Sequence, residues 1–247
     1  MDGPLTATAP AVDGGKKSRK GEQTRAQILE TALTLFRERG YEDTTMRAIA
    51  EAAGVSVGNA YYYFRSKEHL IQAFYARTHE EHLEACREVL AREVGLRDRL
   101  LAVMRAKLDT IMPYHRFSGI LFKTAADPES PLNPFSEESL PVRQQSTALF
   151  AEVLEGSNVR LSADMMAELP NLLWTYHMGI VLFWIHDRSP GCARSYRFME
   201  QSVKLVVRLI SLAQIPVLRP LFREILKVVA ELRNREGTEG NPSTMGT

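Results

Sequence analysis

Several features that would narrow a protein's class at once are scarce in this chain. Of 247 residues only two are cysteines, Cys86 and Cys192, far apart and without a CxxC spacing. That argues against a disulfide scaffold and fits a reducing compartment, so a cytoplasmic protein is expected. A charge of one sign is lacking too: 31 Lys and Arg stand against 30 Asp and Glu, and the whole-chain charge names no partner. Long hydrophobic runs are missing. The most apolar stretch, LLWTYHMGIVLFWI at 172–185, contains Thr175 and His177 and falls short of the roughly 20 residues that span a bilayer. It reads as a buried helix, and no membrane partner is expected. The opening MDGPLTATAPAVDGG has no basic leader followed by an apolar run, so no secretion signal is expected. Strand periodicity is weak everywhere. A P-loop, a GxGxxG after a strand and a nucleophile elbow are all absent. No catalytic constellation converges, so neither an enzyme nor a cofactor is expected.

What is present is helical periodicity. Residues 1–20 are rich in Gly, Pro, Ala, Thr and Lys and read as a disordered arm. The arm has a local charge excess: Lys16, Lys17, Arg19, Lys20 and Arg25 face Glu22 alone, a difference of five minus one. From Glu22 the apolar positions Ile28, Ala32, Leu35 and Phe36 recur at helical spacing. Gly40 supplies the left-handed residue that ends a helix. Thr44 or Thr45 can cap a second helix with the apolar face Met46, Ile49, Ala50 and Ala53. Gly54-Val55 then forms a tight turn, Ser56 caps a third helix to about Phe64, and Ser66 caps a fourth with Glu68 in its first turn. Further helices are predicted over 67–92, 96–112, 115–125, 136–155, 162–186, 191–213 and 217–234, with a proline-punctuated loop at 127–134. The fold class is all-α. The expected organisation is a helix-turn-helix head at 21–66, a larger helical body at 67–234 and a flexible tail at 235–247.

The head's residue types suit nucleic acid. A helix, a glycine turn and a second capped helix outline a helix-turn-helix, whose second helix enters the major groove. Ser56 exposes a helix N-terminus that suits a phosphate. Gly58 lets backbone approach backbone. Asn59 can hydrogen-bond a base edge, Val57 can touch a thymine methyl, and Tyr62 can face the groove. Arg47, from the helix before, is a further base-contact candidate. Thr45, Ser56, Tyr61, Tyr63 and Lys67 are expected to hold phosphates. The basic arm is expected to reach along the groove or backbone.

The order of these residues adds to their chemistry. TTMRAIAEAAGVSVGNAYYYFRSKEHL, residues 44–70, resembles the DNA-binding signature of the TetR family of bacterial transcriptional regulators. The matching positions are Ile49-Ala50, Ala53-Gly54-Val55-Ser56, Gly58, Tyr61, Tyr63-Phe64 and Ser66-Lys67-Glu68 with Leu70. The preceding helix, RAQILETALTLFRERGYEDTT, is similar to that family's first helix, so the resemblance covers residues 22–70. Ala60 departs from it, standing where a larger aliphatic residue is usual. The resemblance implies an all-helical homodimer whose two heads read a palindromic operator in double-stranded DNA. It also implies a body that binds a small molecule and thereby changes the spacing of the heads, most such proteins being repressors released by ligand.

The body matches no recognisable ligand class. Met104, Leu108, Met112, Phe117, Phe122, Trp174 and Met178 can line a cavity for an apolar or amphipathic organic molecule, with His115, Lys123 and His177 as orienting polar groups. Helices 162–186 and 191–213 are apolar on more than one face (Leu172, Leu173, Ile180, Val181 and Ile185, then Val203, Val206, Val207 and Ile210) and are expected to form the dimer surface. Two alternatives stand beside this reading. His79, His82 and Cys86, three and four apart, offer ligands for a metal-responsive regulator. A helical protein-interaction module that does not bind DNA is the other.

Overall fold

The computed structural model describes residues 14–128, 130–215 and Glu224, with side chains for all of them except residues 14–18, Arg116, Ile120, Lys123 and Thr124. The expected helix at 217–234 and the tail at 235–247 therefore lie outside the described residues, Glu224 apart, as do the side chains of Lys16, Lys17 and Lys123. Every regular element among the described residues is helical. The chain divides into two compact units, Met1–Phe74 and Tyr75–Thr247.

The first unit contains α1 (Gly14–Arg39), α2 (Met46–Ala52), α3 (Val57–Tyr63) and the opening turns of α4 (Lys67–Arg92). α1 reaches back to Gly14, into the segment expected to be an unstructured arm. It stops where the sequence says it should: Gly40 takes φ +90° and donates its N–H to the Phe36 carbonyl. Thr44 and Thr45 divide their labour. The Thr44 hydroxyl turns back to the Gly40 carbonyl at 2.7 Å, while Thr45 is the cap, accepting from the Ala48 N–H. Gly54, at φ +66°, closes α2 with a paired motif in which Val55 N–H reaches Ala50 O and Gly54 N–H reaches Glu51 O. Ser56 caps α3 through the Asn59 N–H. Ile28, Leu33, Phe36, Ile49, Ala60 and Phe64 are buried together beneath these turns. Filling that core with side chains of this size contributes about 1.5–3 kcal/mol for each large one.

In the second unit the rest of α4 is followed by α5 (Leu96–Ile111), a 3-10 turn at Met112–Tyr114 around Pro113, and α6 (His115–Ala125). Then come α7 (Leu140–Glu155), α8 (Ala163–His186) and α9 (Ala193–Leu212). α7 starts four residues later than the 136–155 expected. Asn133 and Ser136 satisfy the intervening backbone locally, accepting from the N–H groups of Phe135 and Ser139, and Pro141 then fits the first turn. α7 packs on α8, and α5 on α9. The apolar 172–185 stretch is the C-terminal part of α8, and among the described residues no helix is long and apolar enough to cross a membrane.

Two buried charges fasten the frame. The Arg99 guanidinium donates to the carbonyls of Leu90, Glu93, Glu152 and Val153 at 2.6–3.0 Å, joining the C-terminal ends of α4 and α7, where exposed carbonyls favour a cation. Gly156 leaves room for it, because a β-carbon there would collide with the guanidinium. Asp187, between α8 and α9, accepts from the N–H groups of Ser189 and Ser195 and from the Ser195 hydroxyl at 2.7–2.8 Å. Burial pushes its carboxyl up, but these hydrogen bonds outweigh that and hold it well below the usual carboxylate range.

Candidate nucleic-acid interface

α3 carries an unusual exposed surface for so short a helix. Ala60 is buried, whereas Val57, Tyr61 and Tyr62 are 37%, 49% and 80% exposed. Gly58 is exposed as well, and Asn59 and Tyr63 are half-buried. The Asn59 side chain has no hydrogen-bond partner among the described residues, so its amide is free to act outside the head. A β-carbon at Gly58 would meet nothing within 4 Å, so no neighbour inside the head demands a glycine there. Tyr62 and Tyr63 meet edge to face, with ring centres 5.1 Å apart. Arg47 on α2 is exposed. Thr45 and Ser56 hold the N-termini of α2 and α3 with their hydroxyls, which fixes where the free N–H groups point. From the basic arm, Arg19 and Lys20 are exposed, and the Arg25 guanidinium lies 4.9 Å from the centre of the Phe64 ring.

Lys67 is placed differently from the other expected phosphate contacts. Its ammonium donates to the Tyr41 carbonyl at 2.7 Å and to the Glu42 carbonyl at 3.4 Å, and sits 4.3 Å from the centre of the Tyr41 ring. The Tyr41 hydroxyl in turn donates to Glu68 Oε1 at 2.8 Å. Burial pushes the Glu68 carboxyl up, but hydrogen bonds from Ser66, Tyr41 and its own backbone, with Lys67 nearby, bring it below the usual range. The Ser-Lys-Glu run at the start of α4 thus fastens that helix to the connection between α1 and α2. Sequence reasoning missed this lock because its partners are 25 to 27 residues apart.

In the second unit, the expected cavity residues are mostly packed. Met104, Leu108 and Trp174 are buried in one core cluster, against which Met112, Phe122 and Met178 pack half-buried. Phe117 is buried too. His115 donates its Nε2–H to the Trp184 carbonyl at 2.8 Å, a tautomer fixed because a carbonyl can only accept. His177 is buried beside His82, ring centres 6.1 Å apart and planes nearly parallel. His79, His82 and Cys86 are buried as well, and among the described residues no group of three His, Cys, Asp or Glu side chains is arranged to hold a metal. Burial drives the Cys86 thiol up to about 12, so it is protonated in the core as it stands.

The apolar residues that face outward most fully on α8 and α9 differ from those the sequence singled out for a dimer surface. Leu173, Ile180, Ile185, Val203 and Ile210 are buried within the unit, while Leu172, Val181, Val206 and Val207 are half-buried. Leu182 on α8 and Phe198, Leu205, Leu209 and Leu212 on α9 are exposed instead. The four on α9 are spaced seven, four and three apart, which puts them on one stripe.

Comparison with known proteins agrees with this architecture. Residues 28–74 match the family described as bacterial regulatory proteins, tetR family, and residues 99–227 match the tetracyclin repressor-like C-terminal domain. The HTH-type transcriptional regulator TtgR of Pseudomonas putida is 27% identical over 196 residues, which cover 77% of this chain and 88% of that one. The HTH-type transcriptional repressor KstR2 of Rhodococcus jostii is 34% identical over 106 residues, 43% of this chain and 50% of its own. The solved structure of Thermus thermophilus FadR, a transcriptional repressor in complex with lauroyl-CoA, superposes with a TM-score of 0.54 at 23% identity, covering 72% of this chain and 92% of that one. With the helix-turn-helix in its first unit and both halves matched, this chain belongs to the TetR family of helix-turn-helix transcriptional regulators.

Proposed function

We propose that the protein is a homodimeric repressor that reads a palindromic operator and is released by a small organic molecule. The observation that carries this reading is the outward set on α3. Tyrosine rings 49% and 80% exposed, a free asparagine amide and a valine lie together on the second helix of a helix-turn-helix. Asn59, Val57 and Tyr62 contact base edges, with Arg47 beside them. Ser56, Thr45, Tyr61 and Tyr63 position the head on phosphates. Lys67 serves this interface chiefly from within, by fixing where α4 begins. The exposed α9 stripe with Leu182 supports pairing of two copies through α8 and α9, since contiguous apolar surface of this kind marks an interface. The lauroyl-CoA held by the FadR relative supports an amphipathic effector for a body of this fold.

Sedimentation and gel-shift measurements test the reading together. A dimer at micromolar concentration, with DNA affinity falling steeply as salt rises, is the expected result. A persistent monomer that ignores DNA at low salt would instead favour a helical interaction module.

A further inference from the structure

The core of the second unit holds an island of nitrogen that its packing does not explain. His79 and His82 on α4 and His177 on α8 are all buried. The His82 ring lies 6.5 Å from that of His79 and 6.1 Å from that of His177, and Phe150 of α7 closes on His177 at 5.5 Å. His82 donates Nε2–H to the Val103 carbonyl of α5 at 2.9 Å, which fixes its tautomer. His177 Nδ1 and His79 Nε2 are buried with no hydrogen bond of good geometry among the described residues, although the Gln145 side chain of α7 approaches the His79 ring. Leaving such atoms unpaired is costly, and a native core holds few of them.

Lys107 lies one turn of α5 beyond Val103, whose carbonyl takes the His82 hydrogen bond. It is half-buried, and among the described residues no hydrogen bond or ion pair engages its ammonium. Burial lowers it to about 8, with Cys86 and Glu81 of α4 acting the other way. Burial lowers all three imidazoles, helped by the Lys107 charge at His79 and His82 and by His82 and then Lys107 at His177, against the Gln145 and Val103 hydrogen bonds; His82 falls to about 3, and His79 and His177 lie below their usual value. Glu81 is exposed and pairs with Arg77 at 3.8 Å, and Glu152 of α7 acts on Cys86. The site therefore presents a cation whose acidic neighbour Glu81 is shared with Arg77, beside a buried imidazole nitrogen of His177 without a partner, among the buried apolar side chains of Met104, Leu108 and Phe150.

We propose that this cluster is the head-group pocket for a monoanionic organic acid, whose carboxylate pairs with the Lys107 ammonium and accepts from an imidazole N–H of His79 or His177. This rests on the reading that the second unit senses a small molecule, and it names that molecule's class. A carboxylate matches the single positive charge, whereas a phosphate dianion would leave a charge unmatched in a largely apolar surround. A metal cation is disfavoured by the Lys107 charge and by the lack, among the described residues, of three His, Cys, Asp or Glu side chains arranged to hold one. The tail of the acid packs on the Met104 and Leu108 side of α5.

The test uses the full-length protein and two matched pairs, octanoate against octanol and benzoate against benzyl alcohol. Binding is followed by titration calorimetry at pH 8 in two buffers of different ionisation enthalpy. In at least one pair the acid is expected to bind about tenfold or more tighter than the alcohol, the worth of one charge-assisted hydrogen bond. It should take up a fraction of a proton as Lys107 is driven to its charged form. Lys107→Met, checked for retained helicity, should lose both the preference and the uptake. Lys107→Arg, always charged, should keep the preference and lose the uptake. Equal affinity for acid and alcohol in both pairs, including no binding by either, overturns the proposal, as does a preference that survives Lys107→Met. Release of bound DNA is measured separately. An acid that binds through Lys107 without releasing DNA leaves the pocket standing and removes the inducer reading, while release by the alcohol as readily as by the acid does the reverse.

Discussion

Replacing Lys67 with methionine should loosen the head itself, and the structure sets the size of the effect. The substitution keeps the apolar stem and deletes the ammonium, with its 2.7 Å bond to the Tyr41 carbonyl and its 4.3 Å placement over the Tyr41 ring. A hydrogen bond from a charged donor is worth about 1.5–3 kcal/mol net, and a cation over an aromatic ring about 0.5–1 kcal/mol at an exposed site. Lys67 is only half-buried, so water will replace part of what is lost. The 3.4 Å contact to the Glu42 carbonyl adds little. The expected destabilisation is about 1–3 kcal/mol. Native-state hydrogen exchange should read it in the amides of α2 and the first turns of α4, with the second unit unaffected. DNA affinity should fall on every sequence, because the head is less well ordered, while the slope of affinity against salt stays as in the wild type. A lysine that touched a phosphate would behave otherwise, lowering the slope by about 0.9. Unchanged exchange together with that lower slope would refute the argument and return Lys67 to the DNA.

Other perturbations probe separate parts of the account. Asn59→Ala should cost about 1–3 kcal/mol and relax preference at one base pair, read from affinities for operators varied singly at each position. Arg99→Met should lower stability by about 3–5 kcal/mol, because four carbonyls at two helix ends lose a buried cation at once; urea unfolding followed by circular dichroism measures it. Leu205→Glu with Leu209→Glu should convert a dimer to a monomer in sedimentation without loss of helicity, since both side chains face outward in the single chain. Asp187→Asn should cost about 2–4 kcal/mol at neutral pH. Its folded carboxyl is held below the ordinary value of 3.8, so its contribution is complete above about pH 4 and is lost as the solution becomes more acidic. The gap between the variant and the wild type should therefore narrow in acid.

What the sequence announced was local. Gly40 and Gly54 have the positive φ their positions called for, Ser56 caps α3 as expected, and α4 and α6 run over the residues their periodicity marked. Each is decided within one or two helical turns by a cap, a glycine or an apolar repeat. What escaped is long-range or inward-facing. Lys67 looked like a surface cation because its partner Tyr41 is 26 residues away. Arg99 and Lys107 did leave a trace, which was not read: both lie on the α5 stripe of Leu96, Leu100, Val103 and Leu108, where a charge has no place unless something buried receives it. The exposed row of α9 was hidden for a related reason. Both faces of that helix carry large apolar residues, and sequence cannot tell the one that Met199 and Val203 bury from the one that Phe198 and Leu205 leave outside.

The central claim is that α3 reads DNA as half of a symmetric pair. The most direct measurement is to incubate the purified protein with random duplex DNA at moderate salt, recover the bound fraction and sequence it. The account predicts an enriched inverted repeat, with half-sites about one helical turn apart or a multiple of it, and enrichment at one position per half-site that weakens with Asn59→Ala. Recovery of no common sequence at low and moderate salt, or of a site without two-fold symmetry, would contradict it.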